Sequence, residues 1–214
     1  MARRRPRTPT RRPGLGHAFV KRTLDVTVSG LALVVLSVPL ALIAFAVFLT
    51  DPRANVIYRQ RRCGRAGRSF DVLKFRTMVA DADARKESLR ELSTVAWPDF
   101  RLANDPRVTG LGRWLRRTSL DELPQLVNVL RGEMSLVGPR PTSFAVSTYE
   151  LWQTERLEFR PGLTGPWQVW GRTSMDFPQR CRLEISFFRT PSLRSELRIL
   201  AATVGVVIRR TGVG

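Results

Sequence analysis

The sequence is poor in the residues that most often carry enzyme chemistry. It has a single histidine, His17, set close behind a run of arginines. That excludes a Ser-His-Asp triad, a histidine-ligated zinc site and a histidine general base. Its 2 cysteines, Cys63 and Cys181, are too few for a disulfide framework or a four-cysteine metal site, and they suit a reducing compartment. Neither a Gly-x-x-x-x-Gly-Lys loop nor a Gly-x-Gly-x-x-Gly turn occurs, so nucleotide binding by those routes has no support. Acids are scarce as well, 18 against 36 basic residues, which leaves a net charge of +18. Whatever chemistry occurs must run on carboxylates, arginines and backbone.

What is present is enough for one domain. The 214 residues are 43% hydrophobic and 25% charged, which rules out wholesale disorder and allows a single sizeable core. The charge calls for an anionic partner: nucleic acid, anionic lipid or a phosphorylated substrate. Lysine is confined to Lys21, Lys74 and Lys86, so the basic side chains are overwhelmingly arginine. Arginine's planar fork matches phosphate oxygens two at a time. For arginines scattered over a surface, codon usage explains the choice without any ligand.

From Val26 to Leu49 no residue is charged. Such a run can cross a hydrocarbon core of about 30 Å as a helix, and it is unlike a cleaved signal peptide. Arg3, Arg4, Arg5, Arg7, Arg11, Arg12, Lys21 and Arg22 precede it, and Arg53, Arg59, Arg61, Arg62, Arg65 and Arg68 follow. The positive-inside bias asks for both flanks to be cytoplasmic. A straight spanning helix cannot meet that demand; one that enters, bends and returns can. Pro39 lies mid-run, two residues after Ser37, and a kink is expected there, with Ser37 available to satisfy a freed backbone group. Residues 1–18, with Pro6, Pro9 and Pro13, read as a disordered basic arm whose natural partner is anionic membrane lipid. No nucleic-acid-binding motif follows the arm, so no nucleic acid is expected.

The remainder reads as mixed α/β and helix-rich. Phe70–Phe75 has the pattern of a strand, Thr77–Leu92 that of a helix, and 98–112 that of a loop. Arg113, Arg116 and Arg117 share one helix. Another should start between Ser119 and Asp121, run over Glu122–Arg131 and stop at Gly132. Gly138–Pro141 and Pro161–Gly171 read as rigid loops, and Leu193–Arg210 suits either packing or a membrane interface. The expected organisation is an arm at 1–18, a re-entrant membrane helix at 19–50 and a compact cytoplasmic catalytic domain at 51–214.

Asp121 and Glu122 are the first candidates for chemistry. At a helix start, adjacent acids can converge on one ligand, but Ser119-x-x-Glu122 is also the pattern of a capping box. Spacing alone favours the cap. Their company points the other way: Arg116 lies just before them, Arg140 is pinned between Pro139 and Pro141, Lys74 and Arg76 end a strand, and Arg172 follows Gly171. Two carboxylates among arginines suit a divalent cation and a diphosphate.

Three blocks then become recognisable: KFRTM (Lys74–Met78), NDPRVTGLGRWLRRTSLDELPQLVNVLRGEMSLVGPRP (Asn104–Pro141) and RPGLTGPWQVWGR (Arg160–Arg172). Together they closely resemble the bacterial sugar transferase family, the small monotopic phosphoglycosyl transferases, from about Lys21 to near the C-terminus. The resemblance implies a two-step reaction on the cytoplasmic face of the bacterial inner membrane. Asp121 would attack the β-phosphorus of a UDP-sugar, release UMP and hold the phosphosugar. Polyprenyl phosphate, undecaprenyl phosphate in most bacteria, would then collect it. Glu122 would bind Mg2+, while Lys74, Arg76, Arg116, Arg140 and Arg172 would neutralise phosphates. The implied setting is the first membrane step of exopolysaccharide, capsule or glycoconjugate synthesis. Larger relatives carry extra N-terminal membrane helices and a soluble domain, and this chain looks like the minimal catalytic unit plus a basic arm.

Departures from the family pattern are local. The family breaks its membrane helix at a Ser-Pro pair, whereas Val38 here separates Ser37 from Pro39. Glu184 and Phe187 stand where relatives usually show aspartate and tyrosine, so Glu184 is carried over as a binding residue with one extra methylene. Glu196 replaces a second frequent aspartate. The rival reading is a non-catalytic, membrane-tethered basic protein that binds nucleic acid or anionic lipid. It explains the arm and the charge but leaves Asp121, Glu122 and Arg140 without a task.

Overall fold

The computed structural model of the chain describes residues 15–85, 88, 89, 102, 104–171, 175–190 and 192–208. The uncharged run forms two helices, α1 (Leu15–Val35) and α2 (Ser37–Thr50), bent by 65° at a break of one residue. Pro39 explains the place of the break. A proline ring collides with the carbonyl four residues earlier, and that residue is Val35, the last of α1. Its missing N–H costs little at the third position of α2, where helical donors have no partner in any case. Leu36 bridges the two, donating to the Ala32 carbonyl (2.9 Å) and accepting from the Leu40 N–H (2.8 Å). Ser37 opens α2, and among the described residues its side chain caps nothing, so the expected backbone rescue is not seen. No single described helix is long and apolar enough to cross a membrane, although the bent pair passes that test together. Of the expected disordered arm, residues 15–18 are helical, continuing α1 towards the N-terminus, and residues 1–14 lie outside the described residues.

Strand β1 (Ile57–Cys63) and β2 (Ser69–Phe75) form an antiparallel hairpin in register from Ile57↔Phe75 to Cys63↔Ser69. Its turn uses two left-handed residues, Ala66 (φ 54°) and Gly67 (φ 73°). Beyond β2 the helix expected at 77–92 is absent from 77–79, and among the described residues only 84, 85, 88 and 89 are helical, as 3-10 turn. The backbone of 77–79 pairs with 107–109 instead: Thr109 N–H donates to the Thr77 carbonyl (3.0 Å) and Val79 N–H to the Arg107 carbonyl (2.9 Å). Residues 86, 87 and 90–92 lie outside the described residues.

Helix α3 (Gly110–Thr118) starts at Thr109, whose hydroxyl accepts from the Gly112 N–H (2.9 Å), and ends at left-handed Ser119. The helix expected over 122–131 is divided. Leu120–Glu122 is a single 3-10 turn, and α4 (Gln125–Arg131) begins after Pro124 and stops at left-handed Gly132 (φ 80°). Strand β3 (Ser135–Val137) pairs in parallel with β4 (Gly162–Thr164), which occupies part of the expected loop 161–171. The rest of that loop is a π-turn over Trp167–Gly171. Helices α5 (Phe177–Arg189) and α6 (Leu193–Ile208) complete a helix-rich mixed α/β fold.

The main core joins Val72 of β2, Leu126 and Val129 of α4, Leu136 and Val137 of β3, Phe188 of α5 and Ile199 of α6. Ala32 and Leu33 of α1 pack against it, while α2 presents Leu40, Ile43, Ala44 and Val47 to a second cluster with Phe75 and Leu115. Spacing of i, i+3, i+4 and i+7 makes that contact one helix face.

Candidate active site

Fully buried Asn128 fixes α4 against β2. Its Oδ1 accepts from Leu73 N–H (3.0 Å), and its Nδ2 donates to the Asp71 carbonyl (2.8 Å) and to Glu133 Oε2 (2.7 Å). This lock brings Lys74, next along β2, to the turn that precedes α4. Lys74 Nζ donates to Glu122 Oε1 at 2.7 Å, and Arg140 Nη2 donates to the same oxygen at 2.9 Å. The side chain expected to close a capping box is therefore held by two cations, and Ser119 makes no side-chain cap. Burial works against the Glu122 charge, but Arg140 and Lys74 overcome it and hold the carboxyl far below the usual carboxylate range.

Asp121 is in the opposite condition. It is 7% exposed, and burial pushes its carboxyl above the ordinary value. Lys74, Arg116 and Arg140 pull it back down, and the Glu122 charge pushes it further up. Adjacent acids with opposite shifts are a recurrent mark of divided chemical roles. Arg116 is half-buried, donates from Nε to Thr77 Oγ1 (2.9 Å) and is lowered by burial against the support of Asp121.

Arg140 is held at its backbone as well as its tip. Its N–H donates to Glu184 Oε1 (2.9 Å) and its carbonyl accepts from Arg156 Nη2 (2.7 Å). Arg156 closes the frame by donating from Nε to Glu184 Oε2 (2.8 Å), and the two side chains are only 4% and 2% exposed. Before Arg140 the chain passes so close to β4 that a Cβ on Gly162 would lie 2.0 Å from the Gly138 nitrogen. Only two glycines allow that approach. Beside Arg140 lies an open cleft walled by Arg62, Arg156, Arg180, Trp167 and Phe177 among others.

Two adjacent carboxylates, one of them clamped by lysine and arginine, next to an arginine-walled cleft, form the expected layout for handling phosphates. The family model described as "Bacterial sugar transferase" matches residues 16–210. The chain belongs to the bacterial sugar transferase family. It is 43% identical over 206 residues to a protein named "Uncharacterized sugar transferase" from Haemophilus influenzae, covering 92% of this chain and 43% of that one. It is 41% identical over 202 residues to the "Undecaprenyl-phosphate galactose phosphotransferase" of Salmonella typhimurium, 91% of this chain and 41% of the relative. Against "Exopolysaccharide production protein ExoY" of Rhizobium meliloti the identity is 40% over 199 residues, 91% and 88% of the two chains. The chain thus spans less than half the length of the first two and most of the third.

The candidates read from the sequence separate by position. Asp121, Glu122, Lys74, Arg116 and Arg140 are gathered in one place. Arg76 Nε donates to the Asn55 carbonyl (2.7 Å), which fastens the approach to β1. Glu184 lies behind Arg140, where its oxygens accept from the Arg140 N–H and from Arg156 Nε, and it also lines the cleft. Arg172 lies outside the described residues. Sequence reasoning missed Asn128 and Arg156. Asn128 left a signal in being polar among the apolar residues of a short helix, as is buried Gln125; Arg156 left none.

Proposed function

We propose that this sugar transferase moves a sugar-1-phosphate from a UDP-sugar to a polyprenyl phosphate by way of a phosphosugar held on Asp121. The observation that carries this reading is the contrast within one dipeptide: Asp121 is buried and raised, while Glu122 is clamped by Lys74 and Arg140. The names of relatives support the substrate class, among them "UDP-galactose-lipid carrier transferase" of Erwinia amylovora and "UDP-glucose:undecaprenyl-phosphate glucose-1-phosphate transferase" of Caulobacter vibrioides. The rival reading of a non-catalytic basic tether gives this arrangement no task.

The chemistry balances in two displacements. A carboxylate oxygen of Asp121 forms a bond to the β-phosphorus of the UDP-sugar, and the bond from that phosphorus to the bridging oxygen breaks. UMP leaves with the electron pair. An oxygen of polyprenyl phosphate then attacks the same phosphorus, the Asp121 oxygen departs as carboxylate, and a lipid-linked diphosphate sugar results. Burial leaves Asp121 poorly solvated and so more basic than an exposed aspartate, while Lys74, Arg116 and Arg140 keep the phosphate charge tolerable around it. The arginine-walled cleft beside Arg140 suits the rest of the nucleotide, and Trp167 and Phe177 offer it aromatic faces.

The donor set also fits Mg2+. Among the described residues no three His, Cys, Asp or Glu side chains converge, so these residues offer at most the two adjacent carboxylates. Magnesium commonly takes one or two carboxylates and completes its shell with water and substrate phosphate. Glu122 would hold it through Oε2, the oxygen not engaged by Lys74 or Arg140, and the bound ion would offset charge on the diphosphate.

The bent α1–α2 pair would enter the cytoplasmic leaflet and return, leaving residues 51–214 and the basic arm on the cytoplasmic side of the inner membrane. Support comes from the 65° bend, the basic flanks and the apolar side chains left exposed, including Leu31, Val34, Leu42, Phe45 and Leu49. The natural setting is initiation of exopolysaccharide, capsule or glycoconjugate assembly. Purified protein incubated with polyprenyl phosphate, magnesium and each of a panel of UDP-sugars should release UMP with at least one donor. No UMP from any donor would overturn the reading.

A further inference from the structure

The first half of the membrane helix is built into the scaffold of the site. Lys21, Asp25 and Ser29 recur at i, i+4 and i+8, so they form one stripe along α1. That stripe lies on β3, a strand with one sheet neighbour, β4. Asp25 is 3% exposed, and its Oδ1 accepts from the Leu136 N–H at 3.0 Å. Lys21 Nζ donates to the Val137 carbonyl at 3.1 Å and is held there by Glu196 Oε2 at 2.5 Å. The two side chains supply β3 with an acceptor and a donor of the kind a further strand would provide. Arg22, between them, forks onto the end of α4: Nη1 to the Val129 carbonyl (2.6 Å) and Nη2 to the Leu130 carbonyl (2.8 Å). Arginine suits this place because the last carbonyls of a helix have no partner within it.

The two elements so fastened lead directly to the reacting groups. Arg140 follows β3 by three residues, and Asp121 and Glu122 lie on the turn that runs into α4. Lys21, Arg22 and Asp25 bond to β3 and α4, the elements that adjoin Arg140 and the two acids.

We propose that Lys21, Arg22 and Asp25 are positioning residues that make a competent site conditional on the docking of the membrane helix against the catalytic domain. The inference rests on the transferase reading, so it needs one measurement that depends on turnover and one that does not.

The turnover measurement compares Asp25→Ala, which removes the acceptor, with Asp25→Asn, which keeps an acceptor oxygen. In detergent or nanodiscs, Asp25→Ala should lower kcat for UMP release about 10-fold, with KM for the UDP-sugar within about twofold, as observed when residues behind a reacting group are removed. Asp25→Asn should restore most of kcat. The second measurement is hydrogen exchange on the full chain without substrate. Asp25→Ala should speed exchange of the Leu136 amide and of segment 138–142, and Arg22→Gln that of 129–134, while β1 and β2 stay protected. Native kcat in Asp25→Ala, equal losses in both Asp25 variants, or unchanged exchange at Leu136 and 138–142 would each overturn the proposal. If the unaltered protein releases no UMP, the function fails and the exchange result still judges the docking.

Discussion

Asp121 and Glu122 are neighbours that the fold treats in opposite ways, and the difference has a measurable sign. Asp121 is raised from its ordinary 3.8 chiefly by burial. Stability tied to it is full below the unfolded value and is lost as pH rises through the higher folded one, so at neutral pH the charge is a burden. Asp121→Asn should therefore abolish turnover yet raise the melting temperature, by about 2–4 °C per kcal/mol relieved. Glu122 is shifted down from 4.5 by Arg140 and Lys74 against the pull of burial, so its stability is present above 4.5 and lost as pH falls towards the depressed value. Glu122→Gln should lower stability by roughly 1–3 kcal/mol, since it strips two cations of their shared acceptor. It should also raise the magnesium needed for half-maximal rate. Thermal melts of both variants at neutral pH check the pair, and equal or reversed signs would contradict the account. Turnover should also fall on acidification at a higher pH than for an ordinary exposed aspartate, because the attacking group must be ionised. The sequence showed these two acids but not their division of labour. Ser119-x-x-Glu122 fits a capping box as well as it fits a site, and only Lys74 and Arg140, 48 and 18 residues from Glu122, decide between them.

At the scale of elements, what could be read in advance was whatever local chemistry dictates. Pro39 announced a bend, Gly132 the end of α4, and FDVLKF the strand β2. Elements that exist only because of a distant partner stayed hidden. Strand β1 carries IYRQRRC, with no apolar alternation, and becomes a strand by pairing with β2. Segment 77–79 looks helical from composition, but its backbone pairs with 107–109. Strand β4 lies in a Gly- and Pro-rich stretch and forms where Gly138 and Gly162 let two backbones meet. Gly162→Ala should therefore reduce activity and stability together, because one of the two backbones must move. The α1–α2 bend carries its own prediction. In a background without Cys63 and Cys181, cysteines replacing Thr8 and Ser88 should both resist an impermeant thiol reagent in intact cells and react after lysis. Pro39→Leu removes the collision with Val35 and should expose the Thr8 position by favouring a spanning form. Labelling of the Thr8 position with Pro39 present would show a spanning helix and leave the transferase chemistry untouched.

Across the whole molecule, the site is an assembly of distant pieces. Lys74 comes from a hairpin, Asp121 and Glu122 from a turn, and Arg140 from a loop framed by Glu184 and Arg156. Helix α1 braces two of these pieces from outside. This is why recognisable blocks of sequence named the family while the roles of Asn128, Arg156 and Glu184 became visible only in three dimensions. It also places the central claim on one atom group, the Asp121 carboxylate. The most direct test is intact-protein mass spectrometry after incubation with UDP-sugar and magnesium but no polyprenyl phosphate. The account predicts a mass increase of one phosphosugar on the native chain, its removal when polyprenyl phosphate is added, and no increase on Asp121→Asn. An adduct of equal yield on Asp121→Asn, or turnover of the native chain with no adduct at any time, would contradict it.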